Sequence, residues 1–149
     1  MTVDIHRAPL REIPADTLYR ILWLRVQVFV VEQEAAYPEL DGRDLEPDAE
    51  LLWAEEGGQV IATLRVLHDG DNARIGRVAT ALSARGRGVA ADLMRPAVAR
   101  AEERWPRHPI LLDAQQHLAP WYGRFGFAAD GDVFHEDGIP HVPMRRGVR

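Results

Sequence analysis

The chain has 149 residues, of which 46% are hydrophobic and 28% charged, which suits a single globular domain over residues 1–149 with one hydrophobic core. It has no cysteine and each of its 18 basic residues is arginine, which excludes disulfides, thiolate-bound zinc, a cysteine nucleophile and Schiff-base lysine chemistry. A formal net charge of -5 without any recognisable reader motif disfavours nucleic acid; no apolar run reaches the roughly 20 residues of a membrane span and the N-terminus lacks a secretory layout, so the cytoplasm is the expected compartment.

In chain order, "TVDIHRA" alternates as a short first strand. Pro14 and Asp16 then open a helix carrying Leu18, Ile21, Leu22, Arg25 and Phe29, with Arg25 among apolar positions and expected to face an acidic group. "VEQEAAYPELDGRDLEPDAE" has no sustained period and reads as a long acidic loop, a length that usually marks function. "LLWAE", "VIATLRVLH" and "ARIGRVAT", joined by the turns "EGGQ" and "DGDN", form three antiparallel strands. A helix follows from about Gly88 to Arg104, with Pro96 inside it as a possible kink. "PILLDA" is a strand, "HLAPWYGRF" a short helix ended by Gly126, and "VFHEDGIPHVPM" a hairpin about Asp137-Gly138. Trp23, Trp53, Trp105 and Trp121 are expected in the core.

Charge is unevenly distributed. Carboxylates dominate from Glu32 to Glu50 and arginines dominate from Arg74 to Arg107, so one segment should attract cations and the other anions. The only serine, Ser83, lies in no G-x-S-x-G elbow. His135, Glu136, Asp137 and His141 cluster on the last hairpin without a metal-binding spacing, so no metal is expected.

The segment "ATALSARGRGVAADLM" leaves a strand near Thr80, passes through Arg85, Gly86, Arg87 and Gly88, and enters a helix. Such a loop aims unpaired backbone N–H groups and the positive end of a helix dipole at one point, and glycines let the main chain approach a bulky anion. Two cofactor classes fit it. Gly86 to Ala91 matches G-x-G-x-x-A, with Asp113 placed as a dinucleotide-binding unit requires, but "ALSAR" separates the loop from its strand and too little chain follows for further βα units. The other class is coenzyme A, for which Arg85-Gly86-Arg87-Gly88-Val89-Ala90 fits [QR]-x-x-G-x-[GA].

With that loop, and with "LDAQQHLAPWYGRFGF" carrying Tyr122, Gly126 and Phe127 in a Y-x-x-x-G-F register, the chain resembles the GNAT superfamily of N-acetyltransferases. "LRVQVFVVEQ", "YPELDGRD", "LDAQQHL" and "EDGIPHVPM" are similar to its ElaA-like subgroup, and the likeness covers nearly the whole chain. Where that subgroup carries a histidine before its second strand, this chain has Glu50.

The resemblance implies a mixed α/β GNAT fold: a central, mostly antiparallel sheet with a splayed parallel pair, flanked by helices. It implies acetyl-CoA as cosubstrate, its pyrophosphate on Arg85, Gly86, Arg87, Gly88, Val89, Ala90 and Ala91, and its pantetheine arm along Val78, Ala79 and Thr80 with Gln115 nearby. It implies Tyr122 as general acid. No covalent intermediate is needed. An amine acceptor, expected to be cationic, would meet Glu32, Asp41, Asp44 and His141, and the general base is open among Glu32, Asp41, Asp44 and His117. A non-catalytic acyl-CoA-binding sensor is the second reading, a dinucleotide-binding unit a distant third, and a homodimer is expected by analogy of fold.

Overall fold

A computed structural model describes residues 2–148. Its strands are β1 (Asp4–Ala8), β2 (Glu50–Glu56), β3 (Gln59–Asp69), β4 (Asn72–Thr80), β5 (Ile110–Gln115), β6 (Ala128–Ala129), β7 (Phe134–Glu136) and β8 (Ile139–Arg146). Its helices are α1 (Ala15–Val26), α2 (Val89–Arg104) and α3 (Ala119–Gly123). The strands form one sheet in the order β1-β2-β3-β4-β5-β8-β6, with β7 paired to β8. Every pairing is antiparallel except β4 with β5.

Alternation sorts the side chains onto two faces. Leu52, Leu64, Val66, Leu112 and Met144 pack with Leu93, Met94 and Ala97 of α2. Leu51, Trp53 and Val60 pack with Ile21, Leu24 and Val28 on the other face. β4 breaks the alternation: Ala73 and Ile75 belong to the α2 side, yet Ala79, of the same parity, belongs to the α1 side. The cause is a bulge. Thr63 pairs with Ala79 but Arg65 pairs with Gly76, so β4 carries one extra residue there, and Arg77 adopts φ 52°.

The parallel pair is brief. Only Ala73 with Ile110 and Arg74 with Leu111 are in register, after which β4 runs on to Thr80 and β5 to Gln115 unpaired with each other. A wedge opens between them. This architecture excludes the dinucleotide unit, which needs several adjoining parallel strands.

Two expectations change. α1 does not give way to a loop at Val31 but continues as a π-helical turn, Gln27–Glu32. Trp23 is not in the core: it is 62% exposed beside an exposed Tyr19, whereas Trp53 is buried.

Candidate active site

Two cavities meet at the wedge. One, of about 560 Å³, lies between the π-helical turn and the loop entering α2. The other, of about 420 Å³, lies under the segment after that turn and against β3, β4, β5 and β8. They share Phe29, Gln33, Val78, Gln115, Leu118 and Tyr122. Those six residues form a waist.

The larger cavity holds most of the expected cofactor residues. Thr80, Arg85, Gly86, Gly88, Val89, Ala90 and Ala91 line it, together with Val78 and Gln115 at the waist. Gly88 is the N-cap of α2 at φ 77°, Gly86 has φ 78°, and no side chain caps the helix, so its first N–H groups face the cavity mouth without a side-chain acceptor. The arginines are engaged otherwise than their spacing suggests. Arg85 donates to Thr80 O (3.1 Å) and to both oxygens of Glu32 (2.7 Å each). Arg87 turns to Glu56 and does not line the cavity. Ala79 is buried in the α1-side core and lines neither cavity, unlike its neighbours Val78 and Thr80.

Glu32 therefore lines the larger cavity, with the expected cofactor residues, and not the smaller one. The rest of the acid-rich segment is no free anionic surface either. Buried Arg25 donates to Glu39 Oε2 and Asp44 Oδ1, both at 2.7 Å. Arg65 holds Asp41 through two bonds (2.7 and 2.8 Å) and reaches Asp44 Oδ2 at 3.4 Å. Arg77 reaches Asp41 at 3.3 Å; its Nε lies 2.8 Å from Glu39 Oε1 but is not aligned to donate to it. Hydrogen bonds from Arg65 hold the Asp41 carboxyl well below the usual carboxylate range. Asp44 is buried and lines neither cavity, so its carboxylate holds the segment down rather than meeting an acceptor. Asp41 lines the smaller cavity with its oxygens already engaged.

The smaller cavity carries five carboxylates, Asp41, Asp69, Asp113, Glu136 and Asp137, against the four guanidinium groups of Arg43, Arg65, Arg74 and Arg77. His141 lines it too, paired across the sheet with Gln115 of the waist. Asp69 and Asp113 share Arg74 (2.9 and 3.4 Å). Asp113 thus serves this cavity instead of a ribose.

Tyr122 is 7% exposed, on α3 at the waist. Burial alone pushes its hydroxyl up to about 12, so the phenol stays protonated across the physiological range. Its edge meets Trp121, which holds the ring in place. Glu50 lies away from both cavities, where Arg100 grips it through two bonds (3.0 and 3.1 Å), and His117 lines only the larger cavity.

Residues 23–147 match the family model of the acetyltransferase (GNAT) domain. The chain belongs to the GNAT acetyltransferases. A UPF0039 protein of Mycobacterium tuberculosis is 44% identical over 98% of this chain and 94% of its own length, and Escherichia coli ElaA is 37% identical over 97% and 95%. Among solved structures, an acyl-CoA N-acyltransferase from Pseudomonas aeruginosa superposes with a TM-score of 0.92 at 42% identity, covering 98% of this chain and all of that one. E. coli ElaA also gives 0.92, at 34% identity over 97% and 99%. GNAT membership and these likenesses support acyl transfer from CoA. No helix among the described residues is long and apolar enough to cross a membrane.

Two features of this GNAT site escape sequence reasoning. Gln33 and Phe29 reach the waist because the π-helical turn carries them there. No periodicity signals that turn. The charge balance of the smaller cavity arises from pairs far apart in the chain, such as Asp41 with Arg65 and Asp69 with Arg43.

Proposed function

We propose that this protein transfers the acetyl group of acetyl-CoA to a primary amine of a small molecule, a peptide N-terminus or a lysine, by direct attack on the thioester. The observation that carries this reading is the waist: a cavity beneath a helix N-terminus and a second, polar cavity meet only at residues that include Val78 and Tyr122. The pyrophosphate would accept N–H groups of Gly86 to Ala91, and Arg85 would exchange Glu32 or share it. Pantetheine would pair with the free edge of β4 from Val78 to Thr80, guided by Gln115. That places the thioester at the waist.

Attack by the amine nitrogen turns the thioester oxygen into an oxyanion, for which the Val78 N–H beside the bulge is the proposed donor. Collapse expels the CoA thiolate, and the protonated phenol of Tyr122 supplies its proton. An ammonium would be drawn by Asp113, Glu136 and Asp137 on the β5–β8 side of the smaller cavity, the loop carboxylates being held by arginines.

The test is thiol release from acetyl-CoA with spermidine, a glycine-terminated peptide, a lysine peptide and free α-amino acids, with the acetylated product identified by mass. Release with at least one amine is expected. Acetyl-CoA binding without release from any would favour a non-catalytic acyl-CoA-binding domain.

A further inference from the structure

An amine that attacks a thioester must shed a proton as its nitrogen becomes bonded to carbon, and a group within reach of that nitrogen speeds the step when its basicity suits neutral pH. The carboxylates of the acceptor cavity are poor matches. Asp41 is held by Arg65 and Arg77, Asp69 by Arg43 and Arg74, and Asp113 by Arg74. Glu136 and Asp137 are exposed on the hairpin.

His141 is different. It is the one histidine among the described residues that lines this cavity, and its Cα partner across the sheet is Gln115 of the waist. Its Nδ1 lies 2.8 Å from Ile139 O. A carbonyl oxygen only accepts, so Nδ1 carries a hydrogen and the neutral ring has its lone pair on Nε2. The ring also stacks on Phe134 at 5.6 Å, which fixes its plane. Tautomer and orientation are therefore set by the hairpin itself.

Resting on the acyl-transfer reading above, we propose that His141 is the general base of this enzyme, taking through Nε2 the proton that the acceptor nitrogen sheds. The step balances: the C–N bond forms, the C–S bond breaks, one amine proton passes to Nε2 and on to solvent, and the thiolate receives the proton of Tyr122, which is refilled from water. The charged groups that share the cavity with His141 are Asp113, Glu136 and Asp137 on the β5–β8 side, Asp41, Asp69, Arg43 and Arg65 beyond them, and Arg74 and Arg77 from β4, with the Tyr122 phenol at the waist.

The test compares wild type with H141Q, using whichever of spermidine, the glycine-terminated peptide, the lysine peptide and the α-amino acids gives the fastest thiol release. H141Q is expected to lower kcat by about 100-fold or more and to abolish the acidic limb of the pH profile of kcat/KM. Acetyl-CoA affinity should hold, because His141 does not line the larger cavity, and that binding reports folding. Nitrogen NMR of the wild-type imidazoles should show His141 with its hydrogen on Nδ1. A hydrogen on Nε2 at neutral pH, or an active H141Q that retains the acidic limb, would overturn the proposal. A wild type silent with every probe would instead defeat the acyl-transfer reading, and the base with it.

Discussion

Replacing Arg25 by methionine removes the cation from the most buried ionic group of the protein. Arg25 is 1% exposed, and its guanidinium holds Glu39 and Asp44, both buried as well. R25M fills most of the same volume but leaves two carboxylates with fewer partners. Breaking a buried pair from one side costs about 3–5 kcal/mol. The lower end applies, because Asp44 keeps Arg65 at 3.4 Å and Glu39 keeps the Tyr37 hydroxyl at 3.0 Å. Against a total stability of about 5–15 kcal/mol, a loss of about 3 kcal/mol is severe, and in a chain of this size it lowers Tm by roughly 6–12 °C. Urea unfolding followed by far-UV circular dichroism measures it directly, provided the slope m is unchanged. The triple variant R25M/E39Q/D44N should recover more than half of the loss, since neutralising the whole group removes the stranded charges. A loss below about 1 kcal/mol for R25M, the scale of an exposed pair, would refute the view that this network anchors the segment over the smaller cavity.

Tyr122→Phe should lower kcat by about 100-fold or more in the thiol-release assay while acetyl-CoA affinity is kept, and wild type should show no alkaline limb from this group below about pH 11, given a hydroxyl pushed up to about 12; an unchanged kcat would remove Tyr122 from the proton path. Gly88→Ala and Gly58→Ala both place a Cβ at φ 77° with nothing within 4 Å, so each should cost about 1–2 kcal/mol of stability. Only Gly88→Ala should also weaken acetyl-CoA binding, by about tenfold if some 1.4 kcal/mol of that strain is relieved by movement of the loop; equal binding by the two variants would count against the phosphate cradle. Asp41 has its folded-state carboxyl held down by Arg65, so its contribution to stability is full above the unfolded value near pH 4 and is lost as pH falls through the folded one. Urea unfolding at pH 7, 5 and 3 should show a fall that D41N makes shallower, and an identical fall in D41N would contradict that linkage.

Much of the lining of the larger cavity is legible in the sequence because its signals are local. A strand, a glycine-bearing loop and a helix start lie within "ATALSARGRGVAADLM", and the structure adds that Gly86 and Gly88 both adopt a positive φ. The antiparallel meander and the hairpin at Asp137-Gly138 are likewise read from alternation and turn residues. The expectation that Arg25 faces acid is met by Glu39 and Asp44, although the partners, 14 and 19 positions away, could not be chosen from spacing. What stays hidden depends on distant pairing. Glu32 and Arg85 are 53 positions apart, so the carboxylate looks like a cation lure until the fold closes it onto the loop that enters α2. The bulge at Arg77 needs a positive φ at a residue that rarely adopts one, and only the register with β3 reveals it. Trp23 illustrates the opposite error, since its size suggests the core while its position on α1 turns it to solvent.

The most direct test of the central claim is backbone amide NMR of the wild-type protein titrated with acetyl-CoA. Binding across the waist predicts the largest shifts in two separated stretches, Val78 to Thr80 and Gly86 to Ala91, with Tyr122 and Gln115 moving with them and β1 and the far end of α2 unaffected. Shifts confined elsewhere, or no shifts at millimolar acetyl-CoA, would contradict it.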